Sequence, residues 1–350
     1  MHKKNLIAAP PLHRKRVLIT GASGFIGSFL VERALEKGLD VWAAVRPTSS
    51  RRYLKDPRIH FLEADLSSDE RLTMQLATYA KGQVPFDYVI HAAGATRAKN
   101  EAAFRRVNTE GTLRLARLLM ATGALKPAGR FVFISSLSVC GCLHDTDRRP
   151  LRATDVPSPN TAYGRSKLDA ERGLARIEGL NYVILRPTGV YGPREKDYFL
   201  MAKSIRRHVD FAVGYSPQVL TFIYVRDLVE AAMLALRGGR LGHVYHLSDG
   251  HQYTSRSFSD LLALHLGVRH VLHIVAPLWV LKLACWCAEK GAALASTTST
   301  LNTDKYRIMK QRNWRCDIAP AREELGYTPR WPLARGVQEA VAWYKQEGWL

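Results

Sequence analysis

The chain has 350 residues, 47% of them apolar and 23% charged, a profile that excludes wholesale disorder and allows about two domains. Against 31 aspartates and glutamates stand 51 lysines and arginines, and the net charge of +20 favours an anionic partner or ligand. The basic residues are scattered, with no zinc-finger spacing, RNA-binding aromatic motif or basic zipper, so nucleic acid is not an expected partner.

In chain order, residues 1–13 read as a basic tail whose apolar run at 6–9 is too short for a signal-peptide core. From Arg14 onward, short β-branched runs alternate with helical patterns. Strands are predicted at 17–20, 41–45, 59–62, 88–91, 131–135 and 182–185, with helices near 24–37, 69–80, 101–123 and 161–178. Such alternation implies parallel strands with helices on both faces, a doubly wound α/β sheet. Glycines and prolines from Pro187 to Pro217 punctuate loops. A strand–helix pair at 222–225 and 227–237 and a short strand at 244–247 follow. A Rossmann-type dinucleotide-binding domain is therefore expected from 14–186 with 221–248. A smaller, discontinuous C-terminal substrate lobe is expected from 187–220 with 249–350.

Residues 271–288 approach the ~20 apolar residues a spanning helix needs, but Pro277 and Lys282 interrupt them and argue against a span. The stretch reads either as a buried lobe helix or as an amphipathic helix touching a bilayer, with Trp279 and Trp286 as interfacial anchors. The five cysteines, Cys140, Cys142, Cys285, Cys287 and Cys316, show neither a disulfide framework nor metal-ligand spacing. A reducing compartment fits, and no metal is expected.

The first strand runs into Thr20-Gly21-Ala22-Ser23-Gly24-Phe25-Ile26-Gly27. Gly21 permits a tight turn, Gly24 lets backbone approach a pyrophosphate, and Gly27 lets the helix pack close to the strand. The helix N-terminus then offers N–H groups and a positive dipole to phosphate. Gly21, Ser23, Gly24, Phe25, Ile26 and Gly27 are thus the candidate pyrophosphate site. Arg46 follows the second strand, about 20 residues past the last glycine, where an acidic residue would bind the ribose 2′-hydroxyl of NAD. Arg46, with Ser50 in the basic run after it, suits a 2′-phosphate, so NADP(H) is expected in preference to NAD(H).

Tyr163 and Lys167 stand at i and i+4 of a predicted helix, neighbours on one face. An ammonium beside a phenol lowers its pKa, so Tyr163 is the candidate proton donor and acceptor. Ser136 closes a predicted parallel strand, and the carboxyl ends of such strands face the cofactor crevice.

These segments, with His91-Ala92-Ala93-Gly94 and Arg186-Pro187-Thr188-Gly189-Val190-Tyr191-Gly192-Pro193, together resemble an extended short-chain dehydrogenase/reductase, the NAD-dependent epimerase/dehydratase superfamily. The match runs in order over nearly the whole chain. The resemblance implies Ser136, Tyr163 and Lys167 as catalytic residues, with Asn108 on the helix behind the site. It implies cofactor contacts at Asp65, Leu66, Ala92, Ala93, Gly94 and Pro187, alongside Lys167 and Tyr163, and substrate contacts at Thr96, Ser138 and Tyr191. Asp227, in Tyr224-Val225-Arg226-Asp227, matches a mostly structural signature, and Cys140 replaces the usual tyrosine of Val-Tyr-Gly.

Dehydratases of this superfamily place Asp-Glu after the catalytic Ser/Thr; Leu137-Ser138 stands there instead, so elimination is not expected. Arg46 and the segment 271–288 look like the branch of 3β-hydroxysteroid dehydrogenases, dihydroflavonol reductases and bacterial keto-sphingoid reductases. The expectation is an NADP(H)-dependent oxidoreductase interconverting ketone and secondary alcohol on a hydrophobic, lipid-like substrate. The alternative is a nucleotide-sugar epimerase or reductase. The protein is expected in the cytoplasm, with room for peripheral contact with the cytoplasmic face of an anionic membrane and for a homodimer.

Overall fold

The computed structural model describes residues 15–294 and 302–350, with the side chains of 292–294 excluded; the basic tail read at 1–13 lies outside them. Strand β1 (Arg16–Thr20) leads through the glycine turn into α1 (Phe25–Glu36), and then come β2 (Asp40–Val45), β3 (His60–Glu63), α2 (Asp69–Gly82) and β4 (Phe86–His91). Next are α3 (Glu101–Phe104), a π-helical turn over Arg105–Glu110, α4 (Gly111–Ala121), β5 (Leu125–Ile134), α5 (Ala162–Leu174) and β6 (Tyr182–Pro187). The remainder comprises β7 (Gly189–Tyr191), α6 (Asp197–Arg206), β8 (Val209–Val213), β9 (Phe222–Tyr224), α7 (Val225–Ala235) and β10 (Val244–Leu247). It closes with α8 (Ser257–Leu266), β11 (Leu272–Ala276), α9 (Leu278–Leu294), α10 (Thr303–Lys310), α11 (Ala319–Leu325) and α12 (Leu333–Gln346).

Seven strands form one parallel sheet in the order β10-β6-β5-β4-β1-β2-β3. Its strands are apolar on both faces, as a sheet covered on both sides requires. Val17, Ile19, Val41, Ile90, Val132 and Leu185 pack beneath α1, α7 and the C-terminal helices. Leu18, Val89, Phe131, Phe133 and Ile184 pack beneath α2, α4 and α5 on the other face. Register places Thr20 beside both Ala44 and His91, so the carboxyl ends of the inner strands line up along one edge.

Three expectations change. The helix read at 101–123 is broken by the π turn, which holds Asn108. The strand after residue 221 leaves the main sheet, since β9 pairs with β7 in a separate two-stranded ladder. The segment 271–288 is no single helix: 272–276 form β11, paired in parallel with β8, and Pro277 separates them from α9. Proline disfavours helical backbone in the residue before it, so the break falls there.

Candidate active site

Gly21 has φ +67°, and a Cβ there would lie 2.7 Å from the Ala93 nitrogen, so only glycine lets the two strand-end loops touch. A Cβ on Gly27 would collide with the Gly21 carbonyl oxygen. Helix α1 opens at Gly24 with no side-chain cap, leaving its first N–H groups and its dipole for an anion. A dinucleotide pyrophosphate fits this cradle.

Arg46 is exposed at the end of β2, and no hydrogen bond or ion pair holds its guanidinium among the described residues. Its neighbours are committed elsewhere: Arg51 stacks on Phe61, Arg52 pairs with Glu347, and the Ser50 hydroxyl accepts from the Arg52 backbone. The Asp65 carboxylate accepts from the Ser67 N–H and hydroxyl and pairs with Arg71 at 2.8 Å, and these partners hold its pKa below the usual carboxylate value. Leu66 beside it is half-buried, its carbonyl taken by Arg114.

At the end of β4 a buried relay ties the strands together. The Ala93 N–H donates to Thr20 Oγ1 (3.2 Å), whose proton points to His91 Nδ1 (2.7 Å). His91 Nε2–H donates to Thr112 Oγ1 (2.9 Å), which in turn donates to the Asn108 carbonyl (2.6 Å). This order leaves one proton on the imidazole, and burial pushes the His91 pKa down to about 3. Gly94 follows, its missing Cβ leaving room beside Asn108 Oδ1 and Lys167 Nζ.

Asn108 is fully buried. Its amide donates to the Ala95 carbonyl (3.0 Å) and Ser166 Oγ (3.0 Å), and its Oδ1 accepts from the Ala95 N–H (2.8 Å). Both amide hydrogens of Asn108, expected among the catalytic residues, are spent joining the 92–96 loop to α5. Pro187 closes β6 in the buried layer, and Thr96 is exposed beyond Ala95.

Helix α5 starts at Thr161, whose hydroxyl caps the Gly164 N–H, and it turns Tyr163 toward Ser136 at the end of β5. Burial raises the Tyr163 pKa, and the Ser136 hydroxyl works against that rise. The expected ammonium effect on the phenol is not what this geometry shows. Lys167 Nζ instead donates to the Ile134 carbonyl (2.9 Å) over the Phe133 ring, and burial pushes its pKa down to about 8 while Glu171 holds it up. Spacing puts two Cβ atoms side by side; where a long side chain ends depends on what it finds.

Sequence reasoning missed what lies behind Lys167. One turn on, Glu171 is buried, paired through both oxygens with Arg186 and accepting from the Ser135 hydroxyl. Arg186 also faces His246, whose Nδ1 bonds the Leu151 carbonyl (3.1 Å). The signal was present in the i, i+4 pair Lys167/Glu171 and in the arginine before Pro187.

Ser138 is half-buried, with its N–H on Ser136 Oγ (3.1 Å), and Leu137 is buried, so neither position supplies a carboxylate. Tyr191, expected to touch substrate, is wholly buried among Tyr198, Phe222, Tyr224 and Phe258 and belongs to the core. Around the start of α5, Asp304 of α10 accepts from the Tyr163 N–H (3.3 Å), Asp197 meets Arg97 and Lys305, and Glu101 meets Arg165. Among the described residues no cluster of His, Cys, Asp and Glu could hold a metal ion.

The sequence profile of the NAD dependent epimerase/dehydratase family matches residues 17–248, and the chain belongs to that family. It is 27% identical to a UDP-glucose 4-epimerase of Vibrio cholerae, with 95% of this chain and 96% of that protein covered. It is also 27% identical to a ceramide reductase of Caulobacter vibrioides, with 95% and 96% covered. Its fold resembles that of a UDP-glucuronic acid 4-epimerase from Bacillus cereus in complex with NAD, with a TM-score of 0.72, 21% identity, and 95% of this chain and 99% of that one covered. The chain is thus an enzyme of the oxidoreductase type, built on a Rossmann-like sheet.

Proposed function

We propose that the protein interconverts a secondary alcohol and a ketone by hydride transfer, without elimination. The observation that carries this is the Tyr163–Ser136 hydroxyl pair at the sheet's carboxyl edge, next to positions 137 and 138 that hold no acid or base. A nicotinamide dinucleotide supplies or accepts the hydride when bound. The uncapped start of α1 would hold its pyrophosphate, the Lys167 ammonium a ribose hydroxyl, and Arg46 a 2′-phosphate. Burial keeps the Tyr163 phenol protonated. In the reductive direction the phenol gives its proton to the carbonyl oxygen as hydride reaches the carbon, and the Ser136 hydroxyl orients that oxygen.

Two substrate readings have support. The names of similar proteins weigh toward a nucleotide sugar. The lipid-like ketone is supported by the Caulobacter relative's name and by the ion pairs around α5, where Arg97, Arg165 and Lys305 already meet carboxylates with which a diphosphate would compete. Turnover with NADPH and NADH, measured against UDP- and GDP-sugars and against a keto-sphingoid and a ketosteroid, separates them. Turnover of the sugars alone removes the lipid reading, and elimination products from any substrate remove the proposed chemistry.

A further inference from the structure

Helix α9 packs Leu281 and Cys285 inward, toward the lobe. With about 100° between successive residues, Trp279, Lys282, Leu283, Trp286 and Lys290 then share an outward arc of about 100° on the other side. Trp279 is 69% exposed and Trp286 56%, with Leu283 between them at 54%. Strand β11, which leads into the helix, adds exposed Leu272 and Ile274, and Phe211 stands opposite Ile274 across the ladder. Such a row of large apolar side chains on a folded surface marks a contact site.

Charge says what kind. Neither Lys282 nor Lys290 has an ion-pair partner among the described residues. The helix's one acid, Glu289, is turned aside: its carboxylate accepts from the N–H and hydroxyl of Thr303, at the start of α10. The outward arc is therefore tryptophan, leucine and unpaired lysine, on a chain of net charge +20. A second copy of the chain docked symmetrically would set these lysines against one another. At 17 residues the helix is about 25 Å long, short of a ~30 Å hydrocarbon core, and no described helix is long and apolar enough to cross a membrane. Tryptophan at headgroup depth beside lysines that reach phosphate is the chemistry of helices that lie in a membrane interface.

We propose that the α9 arc docks the protein on an anionic phospholipid surface, with the helix lying in the plane of the membrane. The proposal stands apart from either substrate reading, because it concerns a face that carries none of the catalytic groups.

The test uses the full chain with vesicles of phosphatidylcholine, pure or mixed with phosphatidylglycerol. Co-sedimentation should require the anionic lipid and fall as salt rises. Lys282→Gln and Lys290→Gln should each weaken partitioning about fivefold, and Trp279→Ser/Trp286→Ser should lower it further with the unfolding midpoint unchanged. Absence of binding to the mixed vesicles overturns the proposal, and so does binding that these variants leave untouched. A wild-type dimer that the tryptophan variant dissolves would assign the face to a second copy and overturn it equally.

Discussion

Helices α5 and α9 carry the same spacing to opposite ends. On α5, Tyr163, Lys167 and Glu171 succeed one another at i+4, and the last two are buried and fully partnered. On α9, Trp279, Leu283 and Trp286 repeat at nearly the same interval and face outward, beside lysines that have no ion-pair partner among the described residues. The difference lies in the ground each helix meets. Helix α5 lands on the carboxyl ends of β5 and β6, where Ile134, Ser135 and Arg186 wait with complementary atoms. The outward arc of α9 meets none among the described residues. A periodic stripe in a sequence thus locates a face, and the partners fix what the face is for.

The comparison breaks first if the α5 cluster proves dispensable. Glu171→Ala leaves Arg186 buried without its counter-charge and should cost about 3–5 kcal/mol in denaturant unfolding. An unchanged midpoint would mean the ion pair contributes nothing. Tyr163→Phe removes a proton donor without disturbing packing; turnover should fall roughly 100-fold or more while cofactor binding persists. Arg46 lies between the two extremes, exposed like α9 yet beside the cofactor cradle. Arg46→Asp should cost about 1.5–3 kcal/mol of NADPH affinity and reverse the preference over NADH in titrations. A wild type that favours NADH would return the basic run to ordinary surface.

Acid sharpens the contrast differently. Burial drives the pKa of His91 and of His246 down to about 3, from 6.5. The unfolded chain therefore takes up protons that the folded chain refuses, and stability should fall as pH drops from 6.5 toward 3. Each histidine contributes up to about 1.4 kcal/mol per pH unit, read as a falling denaturant midpoint. A flat midpoint over that window would mean both rings accept protons where they sit. The smallest effect belongs to α9: Trp279→Ser should shift unfolding by no more than about 0.5 kcal/mol, since its ring leaves no cavity.

The sheet was legible because its strands are short apolar runs with turn residues between them, a pattern that survives without knowing any partner. The glycine turn was legible for the same reason, because its meaning is local, whereas the Tyr163/Lys167 spacing gave a shared helix face and not where the Lys167 ammonium ends, on the Ile134 carbonyl. The features that escaped are non-local. Thr20 and His91 lie 71 residues apart, and their hydrogen bond has no trace in spacing. Strand β11 was hidden inside an apolar stretch because its partner β8 lies about 60 residues earlier. Tyr191 was expected at the substrate through the resemblance, yet it ends β7 wholly buried among Tyr198, Phe222, Tyr224 and Phe258, partners that spacing does not reveal. The partners of Asn108, Ala95 and Ser166, were likewise hidden, since a side chain's free valences are visible only once its neighbours are known.

The π turn at Arg105–Glu110 makes the enzyme sensitive to counting. A π turn accommodates one residue more than regular α pitch would, and at about 100° per residue that extra member sets the angular offset between α3 and α4. Deleting one residue between Phe104 and Asn108 should restore α pitch and pull Asn108 and Thr112 out of joint reach of Ala95 and His91, read as a lowered unfolding midpoint. Regularity and alignment pull against each other at this spot, so the number of residues between Phe104 and Gly111 acts as a gauge for the contacts of Asn108 and Thr112.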